Sequence, residues 1–424
     1  MSLEKRVKQM LLANPDPGKI KKGISLVLLK IFLTPAGRFG TRAFGSRSEK
    51  KLSLILYNHA RRIFKSPHSS VFISLFGPIE LVHAFNLLPF SLEMLSAVAA
   101  SMSLAPDLLA RAEKEWLSSD FCSFHRTYIE LARTGLLPKP LFCMATSHTC
   151  DGTFKSFSQV SEYFSTPLIF FDTPYHLDMN AVKYLARQIE SAVHTIEEIT
   201  GRSLQVSDLE RAFQNSNRAR KALLDINNLK RHHTPLIYGE ESLLFVLVIG
   251  SLLGSRAGAS LYKAYMEELK KRADARFNKI NGKKRILWLH LKPFFPNTLM
   301  KYLERDLGAV IVAEEINSVY WEELNIHNPW ESLAKKLMSN LWVGSIEKRL
   351  NYIRRTIEDY QIDGVIHFSH WGCRQSNGAV RLIKDTVMEY GIPFLNLDGD
   401  CIDSRNYSEA QYITRLEGFM EILG

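Results

Sequence analysis

Short apolar runs alternate with longer amphipathic stretches at both ends of the chain, while the middle is almost purely amphipathic. Leu141 to Ala145 and Pro167 to Phe171 are apolar runs of strand length that flank Thr153 to Phe164, whose apolar residues recur at helical spacing. Two buried strands around one helix make a parallel βαβ unit. Upstream, Ser70 to Phe76 reads as a strand ended by Gly77-Pro78, Ile79 to Leu87 as a short helix, and the surroundings of Leu92 to Leu95 as a further extended run. Met102 to Leu117 and Tyr128 to Leu136 are expected helices. From Asn180 to Lys279 the pattern is helical: Val182 to Thr200, Ser207 to Arg231, Glu240 to Leu253 and Ser260 to Phe277. Ser207-Asp208-Leu209-Glu210 places acids in a first turn, as a helix start should. Strands then return at Arg285 to Leu291, Ala309 to Val312, Gly364 to Phe368 and Phe394 to Leu397. Helices are expected between them at Asn297 to Asp306, Trp342 to Tyr360 and Gly378 to Tyr390.

Strand–helix alternation in both halves predicts an α/β fold with two doubly wound parallel-sheet lobes and an additional helical region. The expected divisions are a helical N-terminal segment over 1–66 with a loop at Pro35-Ala36-Gly37, a first lobe over 67–178, helices over 179–280 and a second lobe over 281–424. The two halves share no sequence repeat, so any likeness between them is architectural. Ile24 to Leu33 is interrupted by Lys30, and Leu243 to Leu253 falls short of the roughly 20 residues that span a bilayer. Both read as buried helices, and no membrane partner is expected.

Composition changes this picture little: of 424 residues, 46% are hydrophobic and 23% charged, which excludes a disordered or fibrous chain. The net charge of +10 is spread over short clusters such as Lys270-Lys271-Arg272 and Lys283-Lys284-Arg285, without interleaved aromatics. That pattern fits solvated faces or attraction of a polyphosphate ligand such as coenzyme A better than nucleic acid. Five cysteines without regular short spacing do not form a disulfide framework. The N-terminus lacks the apolar core of a signal peptide, so a cytoplasmic protein with reduced thiols is expected.

Cys150-Asp151 falls where the first strand of the βαβ unit ends and its helix begins. Ligands bind at such places in open α/β sheets, and helix N–H groups there favour a thiolate. A lone cysteine in a turn is equally a packing residue. Two further stretches bear on the choice: Ser118-Ser119-Asp120-Phe121-Cys122-Ser123-Phe124-His125-Arg126, and His367-Phe368-Ser369-His370-Trp371-Gly372-Cys373-Arg374-Gln375 after an apolar run.

With these three cysteines in order, the chain resembles the 2-hydroxyacyl-CoA dehydratase / benzoyl-CoA reductase family of iron–sulfur subunits, of the 2-hydroxyglutaryl-CoA dehydratase D-component type. Gly77-Pro78-Ile79-Glu80-Leu81-Val82-His83-Ala84-Phe85 and the tail from Gly391 to Asp400, with Arg405 and Thr414 to Phe419, resemble the same family. The likeness runs from Ser70 to the C-terminus. It implies two flavodoxin-like lobes with a [4Fe–4S] cluster in the cleft, held by Cys122, Cys150 and Cys373. It also implies a related second subunit or a second copy of the chain, an acyl-CoA substrate, and a separate ATP-hydrolysing iron–sulfur activator. This chain has no Gly-x-x-x-x-Gly-Lys-[Ser/Thr] loop of its own.

The implied reaction dehydrates a 2-hydroxyacyl-CoA to an enoyl-CoA. Its difficulty is the β-hydrogen, whose acidity is negligible in a neutral thioester. A one-electron reduced thioester can expel the α-hydroxyl, and the radical that follows has a far more acidic β-hydrogen. Three thiolates leave one iron of a cube open to a substrate oxygen. Glu80, at the family's Pro-x-Glu position, is the expected general base and Ser74 a second candidate; the plain reading of Glu80 is charge in a first helical turn. Cys143 reads as a buried hydrophobe and Cys401 follows an acidic turn, though either would close the cluster if it filled the fourth site. His148, His367 and His370 either tune the site or hold its turns. Asp172 and Asp398 either bind substrate or cap, and Arg405 and Arg415 are candidates for coenzyme A phosphates. The rival readings are aromatic ring reduction, a non-catalytic electron relay, a double-cubane reductase and a cluster-free binding protein.

Overall fold

The computed structural model describes residues 46–231, 234–275 and 282–424. The Ile24 to Leu33 run and the Pro35-Ala36-Gly37 loop lie outside them. Within them, eight strands form two parallel sheets of four. The first holds β1 (Ser70–Ile73), β2 (Leu88–Ser91), β3 (Phe142–Thr146) and β4 (Leu168–Phe171), in the order β2-β1-β3-β4. The second holds β5 (Lys284–Leu289), β6 (Ala309–Glu314), β7 (Gly364–His370) and β8 (Phe394–Gly399), in the order β6-β5-β7-β8. Counted from its own first strand, each sheet runs 2-1-3-4. The expected α/β class with two parallel-sheet lobes is what the chain adopts, and the halves are alike in architecture alone. In this order successive connections leave the first strand in opposite directions, opening a crevice beyond the carboxyl ends of strands 1 and 3.

Every residue of β1, β3 and β7 is buried, as parallel strands covered on both faces require. Alternate side chains of the first sheet feed different cores. Val71, Ile73, Phe142 and Met144 pack against the long helices Met179–Thr200, Val206–Lys230 and Arg256–Asp274. Phe72, Cys143 and Ala145 face helices Ala105–Glu115, Ser123–Arg133 and Gly152–Phe164. A third core, with Phe76, Met94 and Phe124 from the first lobe and Trp288, Ile311 and Phe368 from the second, joins the lobes. Helix Arg47–Lys65 docks on Arg256–Asp274, Lys51 Nζ donating to Ser260 O at 2.9 Å.

Several elements differ from the sequence expectation. The extended run around Leu92 to Leu95 is the first turn of helix Leu92–Ser101, and the strand lies just upstream as β2. Pro89 masks that strand in the pattern, and it is tolerated because β2 is a sheet edge. Glu240 to Leu253 is not one helix but three short turns, Gly239–Ser242, Leu243–Phe245 and Val246–Ile249. The segment is pressed between the lobes, where a Cβ on Gly239 would strike Ile311 and one on Gly250 would come within 2.8 Å of Leu75. Helices Pro329–Met338 and Glu409–Leu423 had no counterpart in the expectation. The first crosses back to the other lobe and buries Leu333, Ala334 and Leu337 in its core. No single helix among the described residues is long and apolar enough to cross a membrane.

Candidate active site

The crevices of the two sheets face each other, and the loops leaving the strand ends line a cavity of about 110 Å3. Leu75 and Phe76 reach it from beyond β1, Glu93 from β2, Cys150 from β3, His290 from β5, and His370 with Cys373 from β7. Cys122 reaches it from the loop before helix Ser123–Arg133. An outer hollow of about 310 Å3 touches Cys122 and Cys150 from the other side. The three cysteines singled out in the sequence therefore share one site, contributed by both lobes. Each lies at the start of a helix: Cys122 before Ser123, Cys150 beside Asp151 before Gly152, and Cys373 before Arg374.

Two glycines permit this convergence. Gly372 has φ +76°, and a Cβ there would lie 2.9 Å from the Cys122 Cα. Only glycine combines that left-handed backbone with so close an approach. A Cβ on Gly152 would lie 2.9 Å from the Phe121 ring and 3.4 Å from Cys150 Sγ. Across the cleft, Ser123 Oγ donates to Asp400 Oδ1 at 2.6 Å, and the same oxygen accepts from Ile402 N–H and Asp403 N–H.

Each sulfur has a polar neighbour. Gly152 N–H donates to Cys150 Sγ at 3.3 Å. Cys401 N–H donates to His370 Nδ1 at 3.1 Å, which puts the imidazole proton on Nε2, 3.4 Å from Cys122 Sγ. His290 Nδ1–H donates to Phe368 O at 3.2 Å, so its bare Nε2 stands 3.7 Å from Cys373 Sγ and can accept a hydrogen bond from the thiol. Burial, then the nearness of Cys373 and Cys150, pushes the Cys122 thiol well up. Burial and Cys150 hold Cys373 at about 11, and burial raises Cys150. Burial holds His125, His148 and His367 at about 3, so they are neutral.

Glu93, which the sequence reading passed over, is the carboxyl group on the wall of this cavity. Leu75 N–H at 3.0 Å and Ser91 O–H at 3.1 Å both donate to its Oε2. Burial raises its pKa to about 7, against the bonds from its own backbone N–H, Leu75 N–H and Ser91 O–H, which lower it. Ser91 is thus strand end, helix cap and partner of Glu93 at once. A signal existed in the sequence: an acid in the first turn of a helix that follows a strand. The misread strand hid it.

Glu80 is elsewhere. It is fully buried between helices Ile79–Ala84, Val206–Lys230 and Pro329–Met338, where Lys336 Nζ and Ser216 Oγ both donate to its Oε1, the latter at 2.6 Å. Burial alone would raise its pKa, but Lys336 outweighs that and holds the carboxylate ionised. The structure does not bring it to the cysteine cavity. Ser74 stands at the crevice between β1 and β3, its Oγ accepting from Thr146 N–H at 3.3 Å, one residue before the cavity wall at Leu75. Cys143 is buried in the sheet core and Cys401 in the core between lobes, and neither lines the cavity. Of the remaining candidates, Arg405 is bound by Asp403 and Glu113, Arg415 pairs with Asp398, and Asp172 accepts from Tyr184.

Residues 74–423 match the family model described as 2-hydroxyglutaryl-CoA dehydratase, D-component. The chain is 24% identical to the alpha subunit of (R)-phenyllactyl-CoA dehydratase of Clostridium sporogenes, over 77% of this chain and 83% of that one. It is 26% identical to the alpha subunit of (R)-2-hydroxyglutaryl-CoA dehydratase of Acidaminococcus fermentans, over 68% and 61% respectively. A benzoyl-CoA reductase subunit of Thauera aromatica is 21% identical over 88% of this chain and 94% of its own. A match that runs from the end of β1 through the second sheet and takes in all three cysteine loops makes this chain a member of the 2-hydroxyglutaryl-CoA dehydratase D-component family.

Proposed function

We propose that the chain is a subunit of a 2-hydroxyacyl-CoA dehydratase, with Cys122, Cys150 and Cys373 holding a [4Fe–4S] cluster between the lobes. The observation that carries this reading is the convergence of three thiols from three separate loops on one cavity. Among the described residues no three His, Cys, Asp or Glu side chains stand close enough to hold a single metal ion. Thiols spaced around a cavity suit a cluster, in which each sulfur binds a different iron. Sulfur donors are soft, and the burial that opposes their free thiolates favours them once iron neutralises the charge. When bound, the cluster supplies an iron with an open position for the thioester oxygen and a path for the initiating electron.

The chain's own residues then have definite tasks. Leu75, Phe76, Phe124 and Trp342 line the cavity and keep water from a reactive intermediate. The Glu93 carboxylate, partly ionised near neutrality, takes the β-proton after the hydroxyl has left and can pass it to the released hydroxide, giving water. The His370 N–H steadies the Cys122 sulfur. The relatives' names add the chemistry of 2-hydroxyacyl-CoA dehydration and, with it, a partner subunit. An ATP-hydrolysing activator would supply the electron.

The test is iron and acid-labile sulfide on anaerobically purified protein, with Mössbauer spectra, for the wild type and Cys150→Ser. About four irons with one distinct site, lost in the variant, supports the reading. No iron after reconstitution overturns it. Electron consumption separates the chemistries: dehydration needs only catalytic electrons, whereas ring reduction of the benzoyl-CoA type consumes them stoichiometrically.

A further inference from the structure

Away from the cysteines, a cavity of about 490 Å3 opens where four helices meet: Arg47–Lys65, the end of Ile79–Ala84, and the first turns of Val206–Lys230 and Arg256–Asp274. It lies at the other end of the first sheet. Its wall includes Leu88, the first residue of β2, whereas Glu93 beyond the last residue of β2 lines the cysteine site. Arg62, Arg211 and Arg256 converge on it from three of those helices. The carboxylate on the wall is Asp208, already bound by Arg211 and by Asn86 Nδ2 at 3.3 Å. Arg62 and Arg256 have no carboxylate partner among the described residues.

The placing of Arg256 is electrostatically uphill. It is the first residue of a 19-residue helix, where the backbone dipole disfavours a cation. Ser255 Oγ accepts from Gly258 N–H at 3.0 Å, which leaves the N–H groups of Arg256 and Ala257 without an intrahelical acceptor. His83, also on the wall, has an Nε2 shut from solvent and unpartnered. An anion seated here would meet the guanidinium groups and the free N–H groups together.

We propose that this cavity is a second ligand site, taking a phosphorylated small molecule. The phosphate bridges Arg62 and Arg256 across the helix N-terminus, and the body rests on Ile55, Leu87 and Leu252. The phosphate comes from a free phosphorylated metabolite or from coenzyme A. The inference does not depend on the cluster, since the two cavities share no residue.

Calorimetric titration of the full-length protein with inorganic pyrophosphate at low ionic strength tests it. One saturable site is expected, weakened about tenfold by Arg62→Ala and by Arg256→Ala, as the loss of one charge-assisted bond predicts. Lys270→Ala, on the outer face of the same helix, should leave it unchanged. All three substitutions are at exposed positions, so the fold survives them. Displacement of pyrophosphate by coenzyme A assigns the phosphate to that carrier, and its failure to displace assigns a free metabolite. Absence of saturable binding, or binding indifferent to Arg62→Ala/Arg256→Ala, overturns the proposal.

Discussion

Glu93 and Glu80 carry the same carboxyl group into opposite circumstances. Neutral donors hold Glu93 beside the cavity, and burial lifts it to about 7. A lysine holds Glu80 ionised where nothing can reach it. A base must be ionised to act, so kcat/KM should rise with pH through about 7 and flatten above it. Glu93→Gln should lower turnover by roughly 10²- to 10⁴-fold and remove that limb while leaving iron content unchanged. The same shift has a stability consequence: since the folded pKa exceeds the unfolded one, Glu93 contributes fully at pH values below the ordinary carboxyl range, and the contribution is lost as pH rises towards about 7. For Glu80 the readout is the reverse. Lys336→Ala leaves its buried carboxylate unpaired and should cost about 3–5 kcal/mol in denaturant unfolding. Glu80→Gln should lower stability without a matching fall in turnover of the folded enzyme.

At the scale of elements, what the sequence made legible followed the period of its pattern. Strands β3, β4 and β7 stand within a residue or two of expectation, and so does helix Gly152–Phe164 between β3 and β4. The three cysteines were legible through the family resemblance of the motifs around them, and for Cys150 also through its place between a strand and a helix. Glu93 was not, because Pro89 broke the strand before it and its proximity to the cysteines depends on loops far away in sequence. Nor was the fate of Glu80, since its partner Lys336 sits on a helix that crosses between lobes. Gly372 shows how narrow the margins are where loops meet. Gly372→Ala adds about 1–2 kcal/mol of backbone strain and a clash with the Cys122 backbone. Iron per chain should fall sharply while far-ultraviolet circular dichroism stays at the wild-type value.

For the whole molecule, the site exists only while two lobes hold their distance. Asp400 is 2% exposed and accepts from Ser123 across the cleft as well as from its own turn. Asp400→Ala strands those donors, which should cost about 2–5 kcal/mol in thermal unfolding and halve iron occupancy or worse. Lys230 pairs with Glu314 as well, which ties helix Val206–Lys230 to β6 of the second sheet. The pairing of Glu80 with Lys336 spans 256 positions and so governs how the protein is born. A ribosome adding about 5–20 residues per second delivers Lys336 roughly 13–50 s after Glu80. Until then the carboxylate must stay in water, and the hydrophobic surface that will cover it stays open to other chains. Nascent chains should therefore cling to chaperones until the crossing helix emerges.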